Sequence, residues 1–486
     1  METLPNEMVL EVFSRISDGV TLLDGVGLVC KRWHALSRDP HAWRSVVVEF
    51  GDYDWVWQGA KRSRRKKKTM DNVRVLLHAP AMCRLSWSWG YGGPVILKPH
   101  AIALSAVRRC RAAIRDVVLE GVSKMAKPAL AVLCGLLWHT RGHLTHLTIR
   151  EYIGRRLEKD EAPEAGVSVD VEEECALSPE QEQSDAVAAW AEQDGYDSWS
   201  LPGVLAQLHR LEDLSLDLCW EFPYDDELQV EGELLPALRY LRLKYDFPID
   251  LAVDLIRGTA ARLRHLSLPD EYWEAKFAMS LFDDVSGLPS LPSEVIDSVA
   301  ECLQLRSLAA NLMHVTCVFN MRRLRSLHLW LSGQEVRSED AVATAQLLAR
   351  HGESLSGLRR LDLELGSGAT GDSLDDPPLW EGARTSVAEL LLAVAHAAHN
   401  VTELRLTLDW NFEDLIDKIL GCLPRLQEVH LHWFGQDDHV DALSALPDLR
   451  SVTGWTKLTG VKADLIMTNL KMARPDLKLS IKQSEF

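Results

Sequence analysis

Three sets of residues have types and spacings that could do chemistry. Gly366, Gly368 and Gly371 form a GxGxxG run behind a strand-like phrase. Such a run cradles a dinucleotide pyrophosphate only when a helix opens in the same loop and aims its positive end at the phosphates. Here Asp372-Ser-Leu-Asp-Asp-Pro-Pro follows, so acidic charge repels phosphate and the prolines block early helix continuation. His139, His143 and His146 have metal-like spacing, but Gly142 breaks the helix between them and His146 lies in a strand phrase. His430 and His432 share a strand face without a third ligand. The nine cysteines are odd in number, and their closest pair, Cys302 and Cys317, lies fifteen residues apart. That spacing leaves no CxxC and favours reduced thiols acting as small hydrophobes. The sequence has no nucleophile elbow, P-loop or HExxH. These residues point to a binding protein without metal or cofactor.

The elements that would position any site are set by one recurring phrase, apolar-x-x-apolar-x-apolar. It begins at Leu211, Leu238, Leu263, Leu324, Leu358, Val401 and Leu426, with weaker copies from Ile114, Leu144, Leu305 and Leu449. The last residues of each phrase alternate, which predicts a short strand. Helical stretches such as Ala341–Arg350 and Val387–His396 lie between phrases. Start-to-start spacings of 27, 25, 25 and 23 residues fit one strand plus one short helix, the leucine-rich-repeat period. Longer spacings of 67, 42, 34 and 43 mark insertions. A strand–helix unit buries its apolar face only by stacking, and helices are wider than strands, so the expected fold is an α/β leucine-rich-repeat solenoid, a curved arc with its strands on the concave side.

Charge is uneven. The chain has 486 residues and a formal charge of −18, yet Glu151–Ser198 alone holds fifteen acids against three bases. This predicts a mobile acidic insertion at about 151–200. Lys61–Lys68 is basic and reads as a nuclear signal, a phosphate-binding patch or a solvated linker. No apolar run approaches the roughly 20 residues of a membrane span, and the first residues lack a signal peptide's pattern. Cytoplasm or nucleus is the expected location, with neither membrane nor nucleic acid as a partner.

Residues 1–45 break from the repeat. Pro5 favours a helix start, with Glu7 in its first turn. Val9, Val12, Phe13 and Ile16 then follow helical spacing, and Asp18-Gly19 ends it. Leu22, Val26, Val29, Cys30 and Trp33 give a second stripe, and Ala42, Trp43 and Val46 a third element. A unit this small should lean on a partner or on the next domain. Leu4-Pro5-x-Glu7, Val12-Phe13-Ser14-x-Ile16, Val29-Cys30-Lys31-Arg32-Trp33 and Asp39-x-x-x-Trp43 together resemble an F-box. Val12, Ile16 and Ala42 are mild departures, and the resemblance covers under a tenth of the chain. The expected domains are an all-α F-box at 1–48, a basic linker at 49–72 and leucine-rich repeats at 73–486.

The resemblance implies a non-catalytic substrate-recognition subunit of an SCF-type ubiquitin ligase, since neither a catalytic-cysteine domain nor a RING is visible. It implies docking on a Skp-type adaptor, and through it a cullin–RING ligase, by Leu4, Pro5, Glu7, Leu10, Phe13, Leu28, Val29 and Trp33. Of these, Leu4, Pro5, Leu10, Phe13, Leu28 and Val29 are expected to form an exposed apolar patch. The resemblance also places a protein substrate on the concave face. There the outward residues include Tyr240, Arg242 and Lys244, then His328, Trp330 and Arg360, then Arg405, His430 and His432. Two other functions stay open: a non-ligase repeat scaffold and a small-molecule-dependent F-box receptor.

Overall fold

The computed structural model describes residues 4–51, 62–81, 84–88, 97–121, 127–150, 201–217, 234–244, 249–268, 293–331, 338–365, 381–408, 410–432, 438–456 and 461–483. The acidic insertion at 151–200 and the glycine-rich run at 366–378 lie outside them. The chain divides into two units, Met1–Leu238 and Arg239–Phe486.

The first unit opens with helix α1 (Asn6–Phe13), which starts behind Pro5 and buries Val9 and Phe13 one turn apart. The Asp18 carboxylate then turns the chain by accepting the Val20 and Thr21 N–H groups, both at 3.1 Å. The second apolar stripe is not one helix. A π turn at Thr21–Gly25 and a 3₁₀ turn at Val26–Leu28 precede α2 (Lys31–Leu36). Gly25 and Gly27 weaken the helix there, and Cys30 is extended, its Sγ accepting the Trp33 N–H at 3.4 Å. Trp43 is fully buried, and its Nε1 donates to the Ser37 carbonyl at 2.7 Å.

Strand β1 (Val47–Phe50) follows almost at once. Next come β2 (Arg84–Ser88), β3 (Asp116–Glu120), β4 (His146–Arg150) and β5 (Asp213–Asp217). They pair in chain order, all parallel. The stretch read as a basic linker, 49–72, is structured at both ends: its start closes β1, and from Arg62 it belongs to helix α3 (Arg62–His78). Lys and Arg are good helix formers, and burial of Val73, Val75 and Leu76 anchors the far end of this run. Helix α3 also supports the N-terminal helices. A Cβ on Gly19 would meet Val75 Cγ1 at 2.6 Å, and Arg74 forks onto Asp24 at 2.7 and 2.5 Å.

The second unit carries β6 (Tyr240–Lys244), β7 (His265–Ser267), β8 (Ser307–Asn311), β9 (Ser326–Leu331) and β10 (Arg360–Leu365). It continues with β11 (Glu403–Thr407), β12 (Glu428–Leu431), β13 (Ser451–Thr456) and β14 (Lys478–Gln483). These too are parallel and in chain order. Helices such as Ile249–Thr259, Ser338–His351 and Glu381–Ala397 make the return crossings. Parallel strands need such crossings, and chain-order pairing is the pattern of a strand–helix repeat stack.

Each phrase works alike. In Leu208-x-x-Leu211-x-x-Leu214-x-Leu216 all four leucines are fully buried, each stabilising the fold by roughly 1.5–3 kcal/mol. The Leu211 N–H bonds the Leu208 carbonyl at 3.0 Å, a tight turn that swings the chain into the strand, and the same turn precedes β6 and β8 through β12. The phrase's second residue clips on the next repeat. The Arg239 carbonyl, for example, accepts the N–H groups of both Arg264 and His265 at 2.9 Å. Two helices end on a buried threonine. The Thr259 hydroxyl donates back to the Leu255 carbonyl at 2.6 Å, while its own carbonyl takes the Arg262 and Leu263 N–H groups. Thr140 repeats this ahead of β4.

Candidate interaction sites

Two surfaces present the side chains singled out from the sequence. The first is on the N-terminal helices. Leu4, Met8 and Val12 of the α1 segment are 41%, 56% and 61% exposed, and Leu28 and Val29 before α2 are 79% and 61% exposed. Pro5 and Glu7 are exposed beside them, and Leu10 is half-buried. The two segments are tied: Arg32 of α2 donates to the Leu4 carbonyl and, at 2.9 Å, to Asn6 Oδ1. Phe13 departs from the expected exposed set. It is 2% exposed and meets the half-buried Trp33 edge-on at 5.2 Å, because the Val9/Phe13 stripe faces the interior. Met8 and Val12, on the adjacent stripe of α1, take its place on the surface. Behind the patch Glu11 pairs with Arg44 at 2.9 and 2.8 Å. Partial burial tends to raise the Glu11 carboxyl, but Arg44, His41 and Arg15 outweigh it and hold the group below its ordinary value.

The second surface is the outward face of β6–β14. The register sets His328, Asp362, Arg405, His430 and Thr453 side by side on β9–β13. Trp330 and Glu364 sit one step further along. Tyr240, Arg242 and Lys244 lie three strands from β9, on β6, with Ser267 and Ala309 between. Tyr240 stacks on His265 with ring centroids 4.3 Å apart. The nine expected positions thus fall into two groups.

Most of the β9–β13 group is tied by side-chain hydrogen bonds. His328 Nε2 lies 3.1 Å from Glu364 Oε2. That bond, with the charges of His328, His432 and Arg405, outweighs burial and keeps the Glu364 carboxyl below its ordinary value. His430 Nδ1 lies 2.6 Å from Thr453 Oγ1. Burial, then the charges of Arg405 and His432, lower the His430 imidazole's pKa against an opposing pull from Asp362. Arg360 forks onto Asp362 at 3.1 and 3.0 Å and reaches Glu403 at 3.0 Å, so its charge is already neutralised. Trp330 is 6% exposed instead of open, and its Nε1 has no partner among the described residues. Asp362, Glu364 and Thr453 were not singled out from the sequence. The alternation Arg360-x-Asp362-x-Glu364 was the signal that could have found the two acids.

Among the described residues no group of three His, Cys, Asp or Glu side chains could hold a metal ion. No helix there is long and apolar enough to cross a membrane. Burial pushes the thiols of Cys134, Cys302 and Cys317 up to about 12, so none is a thiolate near neutrality.

A family model described as F-box-like matches residues 1–49, the segment that carries the exposed apolar set. No curated protein matches the chain. A chain in the crystal structure of the Rad7 and Elc1 complex in yeast is similar over 98% of this chain and 92% of that one. The identity is 12% and the TM-score 0.36, a likeness too loose to bear on function.

Proposed function

We propose that this chain is an F-box substrate receptor: its N-terminal helices dock a Skp-type adaptor, and its leucine-rich repeats hold a protein for ubiquitin transfer by a cullin–RING ligase. The observation that carries the reading is the exposed set Leu4, Met8, Val12, Leu28 and Val29 on a segment that matches F-box-like. Small folded units rarely leave that much apolar surface uncovered unless a partner covers it. Glu7 and Pro5 border the set, while Phe13 and Trp33 shape it from behind. The chain itself does no chemistry in this reading. It raises the local concentration of target lysines near a charged enzyme in the cytoplasm or nucleus.

The substrate belongs on the outward strand face. Arg405, His430, His432 and His328 supply donors there, Asp362 and Glu364 supply acceptors, and Tyr240 with Arg242 and Lys244 forms a second contact group.

The test is Leu28→Asp/Val29→Asp in the full chain, with co-precipitation of a Skp-type adaptor as readout. Both residues are exposed, so the melting temperature should be unchanged while adaptor recovery falls at least about tenfold. Equal recovery from a folded variant would remove the docking assignment.

A further inference from the structure

In five successive phrases the clip residue repeats a side chain as well as a backbone bond. On β6 through β10 it is Arg239, Arg264, Arg306, Arg325 and Arg359, one per repeat. Each N–H bonds the carbonyl of the arginine before it, at 2.9 Å for Arg264 and 2.8 Å for the next three. The five therefore stand in line along the strand starts, spanning about 19 Å at a strand spacing of about 4.8 Å. Four are exposed and Arg264 is half-buried. None has a carboxylate partner among the described residues. Arg325 bonds only carbonyls, those of Leu324 at 3.1 Å and Gly357 at 2.9 Å. Like charges in line repel one another and are destabilising without a counter-charge. This row of like charges sits in a chain of net charge −18.

The row leads into a cleft of about 420 Å³ lined by Arg325, Arg359 and Arg425. Asn400, Thr402 and Gln427 add amide and hydroxyl groups, and Asp448 is the lone carboxylate in the lining. Nothing aromatic lines the cleft. We propose that this arginine row and its cleft bind an extended acidic segment of a partner protein. A row of cations suits a ligand with several charges in line better than a single anion. About six residues of extended peptide span its length at about 3.3 Å each, and the cleft's amides can pair with peptide groups. Single-stranded nucleic acid would want stacking faces between the cations, and the cleft offers none. The site is distinct from the outward face assigned to substrate, and it does not depend on adaptor docking.

The experiment is fluorescence anisotropy of a labelled decaglutamate peptide titrated with the full chain at about 50 mM salt, where exposed charges are weakly screened. Saturable binding is expected. It should weaken by at least about tenfold in Arg306→Gln/Arg359→Gln, as clustered charge contacts are lost together. Neither side chain makes a bond among the described residues, so the fold should hold, as an unchanged melting temperature would show. Arg109→Gln/Arg111→Gln, equal in charge and outside the row, should bind like the parent. The proposal fails if the parent does not bind, or if both double variants weaken alike. It also fails if a decathymidylate of matching charge binds tighter than the peptide, which would make the row a nucleic-acid site.

Discussion

His430 shows how one side chain ties the outward face to pH. Its imidazole pKa lies below the ordinary 6.5 because burial and the charges of Arg405 and His432 disfavour the proton. The unfolded chain takes up that proton first. Stability should therefore fall as pH drops through the unfolded value near 6.5, and the loss should be complete below the folded value. His314, also lowered by burial, acts with the same sign, so the parent alone does not isolate His430. His430→Gln should flatten the dependence of the urea midpoint on pH across that interval. Parallel curves for variant and parent would acquit the residue. Glu364 acts lower on the scale: its pairing stabilises the fold at neutral pH and is lost only as pH falls through its depressed value. At this scale the sequence told which residues face outward but not what covers them. Alternation put Trp330 outward beside His328, yet neighbours bury it. Helical spacing grouped Val9, Val12, Phe13 and Ile16 but could not say that Val12 is the one turned to solvent.

At the scale of elements every phrase read from the sequence leads a strand. The weaker copies at Ile114, Leu144, Leu305 and Leu449 all lead strands, β3, β4, β8 and β13. Strands β1 and β14 escaped notice because Ser45 and Asp476 stand at that first position, and β2 because Trp87 replaces the final leucine. The basic run at 61–68 hid a helix because its charge argued for solvent, while the apolar anchors came later, at Val73, Val75 and Leu76. Gly454 marks a different constraint. It occupies an inward position of β13 where most other strands carry a branched residue, and a Cβ there would overlap the Leu431 carbonyl oxygen. That atom is backbone, so β12 and β13 would have to separate. Gly454→Ala should destabilise by about 2–3 kcal/mol, read as a lower urea midpoint. An unchanged midpoint would mean the two strands yield without cost.

For the molecule as a whole, the first prediction concerns the N-terminal helices. Gly19 lies against Val75 of α3, and Asp24 is held by Arg74, so the helices borrow stability from the first repeat. A fragment of residues 1–50, below the size at which a core sustains itself, should show little helical circular dichroism. A cooperative melt from that fragment would refute the dependence. The backbone clip carries a consequence of another kind. Because each carbonyl clip joins a strand to its immediate successor in the chain, contacts within a unit stay close in sequence. A nascent polypeptide leaving the ribosome thus finds its template already laid down, and each repeat can be added as it emerges, well before translation ends. Interrupted synthesis would then yield a shorter protein with intact early repeats, ending in a raw leucine-lined edge of the kind chaperones recognise.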